Sequence, residues 1–119
     1  MTRGVCARPV GDVDGETVLI DEDATRVIEI DLGPGRALPW HFHTNLDRMY
    51  CLTGELVVET RMPLVRHVLS PGQHCQVPAR KAHRVKNESA APARYLIVQW
   101  GAPYDYFPVE ALNREGAEQ

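Results

Sequence analysis

Glycine and proline cut this chain into short pieces. Nine of each fall at regular intervals along 119 residues. Between them lie stretches rich in β-branched and apolar residues: Glu16–Ile20, Thr25–Leu32, Arg36–His43, Asp47–Thr53, Glu55–Thr60, Val65–Ser70, Gln73–Val77, His83–Glu88 and Arg94–Gly101. Gly33-Pro34-Gly35, Thr53-Gly54, Pro71-Gly72 and Pro78 punctuate them. Short strands at ~8–12-residue spacing, with turn residues between, predict an all-β sandwich or barrel. In Thr25–Leu32, alternation sets Ile28, Ile30 and Leu32 on one face. No stretch carries a long 3.6-residue period. Pro108–Glu115, with proline in its first turn, is the one segment that can form a short C-terminal helix.

The length fits one domain over residues 1–119, with residues 102–119 as a C-terminal tail. Net charge is −3, which argues against a nucleic-acid binder that works by bulk charge. Charge is unevenly placed. Asp12 to Asp31 holds eight acidic residues and one arginine, and Arg61 to Arg94 holds seven basic residues and one glutamate. Solvated strand faces account for such runs. The alternative is that Arg80, Lys81 and Arg84 attract an anionic ligand. No stretch approaches the ~20 apolar residues of a spanning helix, so no membrane partner is expected. Cys6, Cys51 and Cys75 are odd in number and form no C-x-x-C pair, which points to a reducing, cytoplasmic setting.

His41 and His43 flank Phe42. On a strand both imidazoles point to the same face, with Cα atoms ~7 Å apart. They can then converge on one ion at N–metal distances of ~2.0–2.1 Å. Five histidines in this length give about 0.2 H-x-H pairs by chance, so the pair needs its surroundings. Gly35 precedes His41 by five intervening residues, Asp47 follows His43 after three, and Gly54 follows Asp47 after six. Further on, Gly72 leads after five residues to Pro78, then to His83 and Asn87.

These spacings resemble the two motifs of the cupin superfamily, in particular its small single-domain metal-binding members. The first motif, G-x5-H-x-H-x3,4-E-x6-G, runs over residues 35–54 with Asp47 in place of glutamate. The second, G-x5-P-x-G-x2-H-x3-N, runs over residues 72–87 with Arg80 in place of glycine. The resemblance implies a jelly-roll β-barrel (a double-stranded β-helix) with a metal in its mouth. The implied ligands are His41, His43, Asp47 and His83. Three neutral imidazoles and a carboxylate suit one divalent transition metal: Fe, Mn, Ni, Cu or Zn.

Two departures from the motifs bear on the site. Aspartate reaches ~1.3 Å less far than glutamate at ordinary bond lengths. Asp47 can therefore ligate directly, ligate through water, or hold a histidine N–H from outside. Arg80 stands where a turn glycine is usual, so a turn of another type is expected. Its guanidinium then either leans over the rim or is solvated.

Alternation places His83, Val85 and Asn87 inward, and likewise Asp47, Met49 and Cys51. Cys51 reads as a small buried hydrophobe. Trp40, Phe42, Tyr50 and Leu52 fall outward, and a face of that kind is expected to pack on an identical subunit. His74 is a second candidate acid or base beside Asp47, although alternation alone leaves its direction open. His67 reads as surface. Tyr104, Tyr106 and Phe107 either cap the barrel end or wall a pocket. The resemblance implies a metal-dependent enzyme on a small organic molecule, with a lean to Fe(II) dioxygenase chemistry. The alternatives are a redox-neutral isomerase, lyase or polyketide-cyclase-like cupin, and a non-catalytic cupin that binds a small molecule or metal.

Overall fold

The structure is a computed structural model and describes residues 13–101 and 104–109. Two five-stranded sheets face each other. One has the order β1 (Gly15–Glu22), β2 (Thr25–Leu32), β9 (Ala93–Trp100), β4 (Asp47–Thr53) and β7 (His74–Val77). The other has the order β10 (Phe107–Pro108), β3 (His41–Phe42), β8 (His83–Lys86), β5 (Leu56–Thr60) and β6 (Val65–Leu69). All pairs between named strands are antiparallel. Neighbours in each sheet are mostly distant in sequence, so the chain crosses repeatedly between sheets, as in a jelly roll. Among the described residues there is no helix, and therefore none long and apolar enough to cross a membrane.

Period-two alternation builds the core. Ile28, Ile30 and Leu32 of β2, Met49 and Cys51 of β4, Val85 of β8, and Tyr95 and Ile97 of β9 are buried between the sheets with Leu56, Val58 and Val77. Asn87 lies just beyond β8 and is also buried. Its amide donates to Leu32 O at 3.0 Å and to Ala91 O at 2.8 Å, tying the connection between β8 and β9 to the end of β2. Gly54 turns the chain with φ of 78°, and a Cβ there would stand 2.5 Å from Pro92 O. Only glycine fits that close approach.

Three local expectations are corrected. The stretch expected as one strand from Arg36 to His43 is a strand only at His41–Phe42. Before it, Ala37 makes an isolated bridge to Lys86, and Leu38 N donates to Val85 O. Pro39 has no N–H to continue the ladder. At the C-terminal end, Phe107–Pro108 pairs as β10 with β3 instead of starting a helix, and the rest of the expected helix lies outside the described residues. Arg80 keeps the positive φ of a turn glycine, 62°, where a different turn was expected. Its N–H donates to His43 O at 2.8 Å, and that bond ties the turn to the metal motif.

Phe42 belongs to one sheet, with Trp40 just before its strand, and Tyr50 and Leu52 belong to the other, so they do not form a single patch. Two guanidinium groups, Arg61 and Arg84, each lie 4.7 Å from the Trp40 ring, and Phe42 stacks on Phe107. Tyr50 lies on the outer face of the first sheet, stacked on His74.

Candidate metal centre

The histidines come from one sheet and the carboxylate from the other. His41 and His83 are direct register partners on β3 and β8. His43 follows two residues after His41, and Asp47 opens β4 across the barrel. The ring centroids are 4.3 Å apart for His41 and His83, 4.9 Å for His41 and His43, and 5.3 Å for His43 and His83. One ligand nitrogen from each ring lies within 4.8 Å of the others. The three histidines predicted from the sequence are thus brought together.

Backbone carbonyls fix which nitrogen faces inward. His41 Nδ1 lies 2.7 Å from Pro39 O, His83 Nδ1 lies 2.9 Å from Lys81 O, and His43 Nδ1 contacts Asp105 O. A carbonyl oxygen only accepts, so each Nδ1 carries the proton and donates it. The Nε2 atoms are left for the interior. His83 is only 1 % exposed, and its Nε2 has no hydrogen-bond partner among the described residues. A buried acceptor without a donor is costly unless something fills the gap. A divalent transition metal meets that need, and the donor set fits one.

Asp47 is 2 % exposed. Its Oδ2 lies 3.0 Å from His43 Nε2 and 3.6 Å from His83 Nε2. Burial resists its ionisation, yet the nearby imidazoles of His43 and His83 hold its carboxyl well below the usual range. Burial also opposes protonation of His43, but the Asp47 carboxylate and Asp105 together raise it. His41 moves the other way, because burial comes first and the neighbouring imidazoles add to it. Both shifts favour a proton on His43 Nε2 facing Asp47 Oδ2 across their 3.0 Å contact.

Sequence reasoning missed several supports. Gln99 Nε2 donates to Asp47 Oδ1 at 2.8 Å. Asp105 accepts from Thr44 N at 2.8 Å and also holds the Thr44 hydroxyl, pinning the chain beside His43. Tyr106 was among the aromatics expected to cap the barrel end or wall a pocket; it stacks on His41 with centroids 4.4 Å apart, and Tyr104 and Tyr106 both line the site. A signal for Gln99 was available. It ends the buried row Ala93, Tyr95, Ile97, Gln99 as the one amide on an apolar face.

His74 is not part of the site. It pairs with Tyr50, whereas the inward row pairs Asp47 with Val77 and Met49 with Cys75. That register turns His74 outward, where it is exposed. It cannot serve as an acid or base in the cavity. His67 is exposed as expected.

A cavity of about 130 Å³ opens onto the three histidines. Polar groups from Asp47, Gln99, Arg26, Glu16 and Tyr104 share its lining with Ile28, Met49, Val85 and Ile97. It is smaller than the ~300 Å³ of a drug-sized site. At ~30 Å³ per water it holds the bulk of about four waters.

A two-sheet antiparallel barrel with a histidine cluster at its mouth defines a class, and known proteins place the chain in it. Residues 28–99 match the Cupin domain family model. The chain belongs to the cupin superfamily. It is similar to TT1209 from Thermus thermophilus, at 32% identity over 82% of this chain and 91% of that one, with a TM-score of 0.68. A cupin domain from Bordetella pertussis Tohama I matches at 28% identity over 82% of this chain and 99% of that one, with a TM-score of 0.63. A structure from work on the DMSP lyases RdDddP and RnDddQII matches at 25% identity and a TM-score of 0.63. There the match covers 70% of this chain but only 42% of the other. No curated protein sequence matches.

Proposed function

We propose that this cupin is a metal-dependent enzyme acting on a small polar organic molecule by redox-neutral, proton-transfer chemistry of the lyase or isomerase kind. The observation that carries the reading is the set of three Nε2 atoms, each oriented by an Nδ1–H···O=C bond, beside an ionised carboxylate in a polar cavity. His41, His43 and His83 would hold one Fe, Mn, Ni, Cu or Zn ion, with Asp47 Oδ2 beside them. The bound ion would supply Lewis acidity at a substrate oxygen.

The protein's own groups supply the rest. The Tyr104 hydroxyl lines the cavity without a hydrogen-bond partner among the described residues. It is available to hold or deliver a proton to the substrate. The Arg26 guanidinium lies 4.7 Å from the Tyr104 ring centroid and steadies it. Tyr106, stacked on His41, shields that ring from water. A cavity lined only by apolar groups would have favoured oxygen chemistry, but this one carries proton-transfer groups. Dioxygenase-type oxidation on iron is the second reading, because the His₃-carboxylate set suits Fe(II) equally well.

The test is a screen of protein loaded separately with Zn²⁺, Mn²⁺, Ni²⁺, Cu²⁺ or Fe²⁺. The panel holds small organic acids and DMSP, with products read by NMR and an oxygen electrode in parallel. Turnover without oxygen uptake, lowered at least tenfold by Tyr104→Phe with metal retained, is expected. Uptake of oxygen in step with substrate, with iron alone, would overturn it in favour of oxidation. We also propose a cytoplasmic homodimer. Its interface would be the outer face of the first sheet, where Tyr50 and the exposed Ile20, Leu52 and Trp100 lie. Light scattering at micromolar concentration should give twice the chain mass, and a monomer would refute it.

A further inference from the structure

Three inward-facing residues form a row across neighbouring strands. Arg26 on β2 is the register partner of Gln99 on β9, and Gln99 is the partner of Asp47 on β4. Arg26 Nε and Nη2 lie 3.1 and 3.0 Å from Gln99 Oε1, and Gln99 Nε2 lies 2.8 Å from Asp47 Oδ1. Gln99 is 5 % exposed, and both ends of its amide are held by protein partners.

The direction of this relay is fixed by chemistry. The two ends of an amide have nearly the same shape, and Gln99 alone could sit either way round. Arginine has only donors, so Arg26 takes the oxygen end. The N–H end must then face Asp47. Asp47 Oδ1 is thereby occupied, and Oδ2 is the oxygen left toward His43 and His83.

We infer that Arg26 and Gln99 are positioning residues for the metal centre. They hold Asp47 so that one oxygen, Oδ2, is presented to the three histidines. The inference rests on reading His41, His43, His83 and Asp47 as a metal site. Gln99 acts through Asp47, and Arg26 acts through Gln99. The arrangement also bears on the shorter reach of aspartate, because a side chain gripped on one oxygen cannot swing away from the ion.

The test uses Zn²⁺ affinity by competition titration on the full chain, with the Co²⁺ absorption spectrum as a second readout of coordination. Gln99→Leu should weaken Zn²⁺ binding by ~10–100-fold, the usual effect of losing a group that orients a ligand. Arg26→Met, at a half-buried position that folding tolerates more easily, should weaken it in the same direction. Arg26→Lys still donates to the amide oxygen and should restore affinity to within about threefold of wild type. The double variant Arg26→Met/Gln99→Leu should be no worse than Gln99→Leu alone, because the two residues act in series. The Co²⁺ spectrum should change in Gln99→Leu and Arg26→Met but not in Arg26→Lys. Affinities and spectra unchanged in Gln99→Leu and Arg26→Met, with a wild type that binds Zn²⁺, would overturn the relay and leave the metal site standing. A wild type that binds neither ion would overturn both.

Discussion

Replacing Arg80 with glycine should make this protein more stable. Arg80 holds a φ of 62°, where the Cβ of an L-residue costs ~1–2 kcal/mol. Its side chain is exposed. The bond it makes to His43 O comes from the backbone N–H and survives the change. Glycine gives up more chain freedom on folding, which costs ~0.5–1 kcal/mol. The difference favours glycine by ~0.5–1 kcal/mol. An unfolding entropy of ~2.1 cal/mol/K per residue gives about 0.25 kcal/mol/K for a chain of this length, so Tm should rise by ~2–4 °C. Scanning calorimetry of the metal-free protein would measure it, with Arg80→Ala as the control that keeps the Cβ and its strain. A glycine variant that melts at or below the alanine variant would refute the reasoning.

Three further outcomes follow from the same geometry. Gly54→Ala should destabilise by ~3 kcal/mol, because the new Cβ would meet Pro92 O at 2.5 Å and Ala93 Cα at 2.9 Å, both backbone; urea unfolding would read it. Asp47→Asn should destabilise the metal-free protein by ~3 kcal/mol at pH 5–6, as a buried pair loses one partner. The depressed Asp47 pKa gives stability present above its unfolded value of 3.8 and lost as pH falls. The raised His43 pKa gives stability present below 6.5 and lost as pH rises through its folded value. The gap between wild type and Asp47→Asn should therefore be widest between about pH 4 and 6.5 and shrink on both sides. A gap that widens steadily toward pH 9 would contradict the pairing. Asp105→Ala should weaken Zn²⁺ binding severalfold while the barrel still folds, since Asp105 anchors Thr44 beside His43; unchanged affinity would show that the anchor is dispensable.

What the sequence made legible was local. The strand Thr25–Leu32 and the strand Asp47–Thr53 are as the alternation predicted, because one buried face enforces a period of two. His41 and His43 were readable as a pair because spacing on a strand sets direction, and His83 joined them through the resemblance to the two cupin motifs. The misses at His74, Phe42 and Asp105 depend on pairing between distant segments. His74 faces outward because β7 takes its phase from β4, a relation no run of four residues contains. Phe42 and Tyr50 share an outward parity but sit on opposite sheets, and only the topology separates them. Asp105 reaches the site because β10 pairs with β3 across more than sixty residues of chain, and the same pairing decides that Tyr106 walls it. Arg80 shows the converse, since the surrounding turn imposes a φ that its own side chain disfavours.

The central claim is that the three Nε2 atoms hold a metal. The most direct measurement is elemental mass spectrometry on protein purified without a histidine tag or chelator, beside the His41→Ala/His83→Ala double variant. The account predicts about one equivalent of a transition metal in the wild type and none in the folded variant. No metal in the wild type even after reconstitution, or equal metal in both, would contradict it.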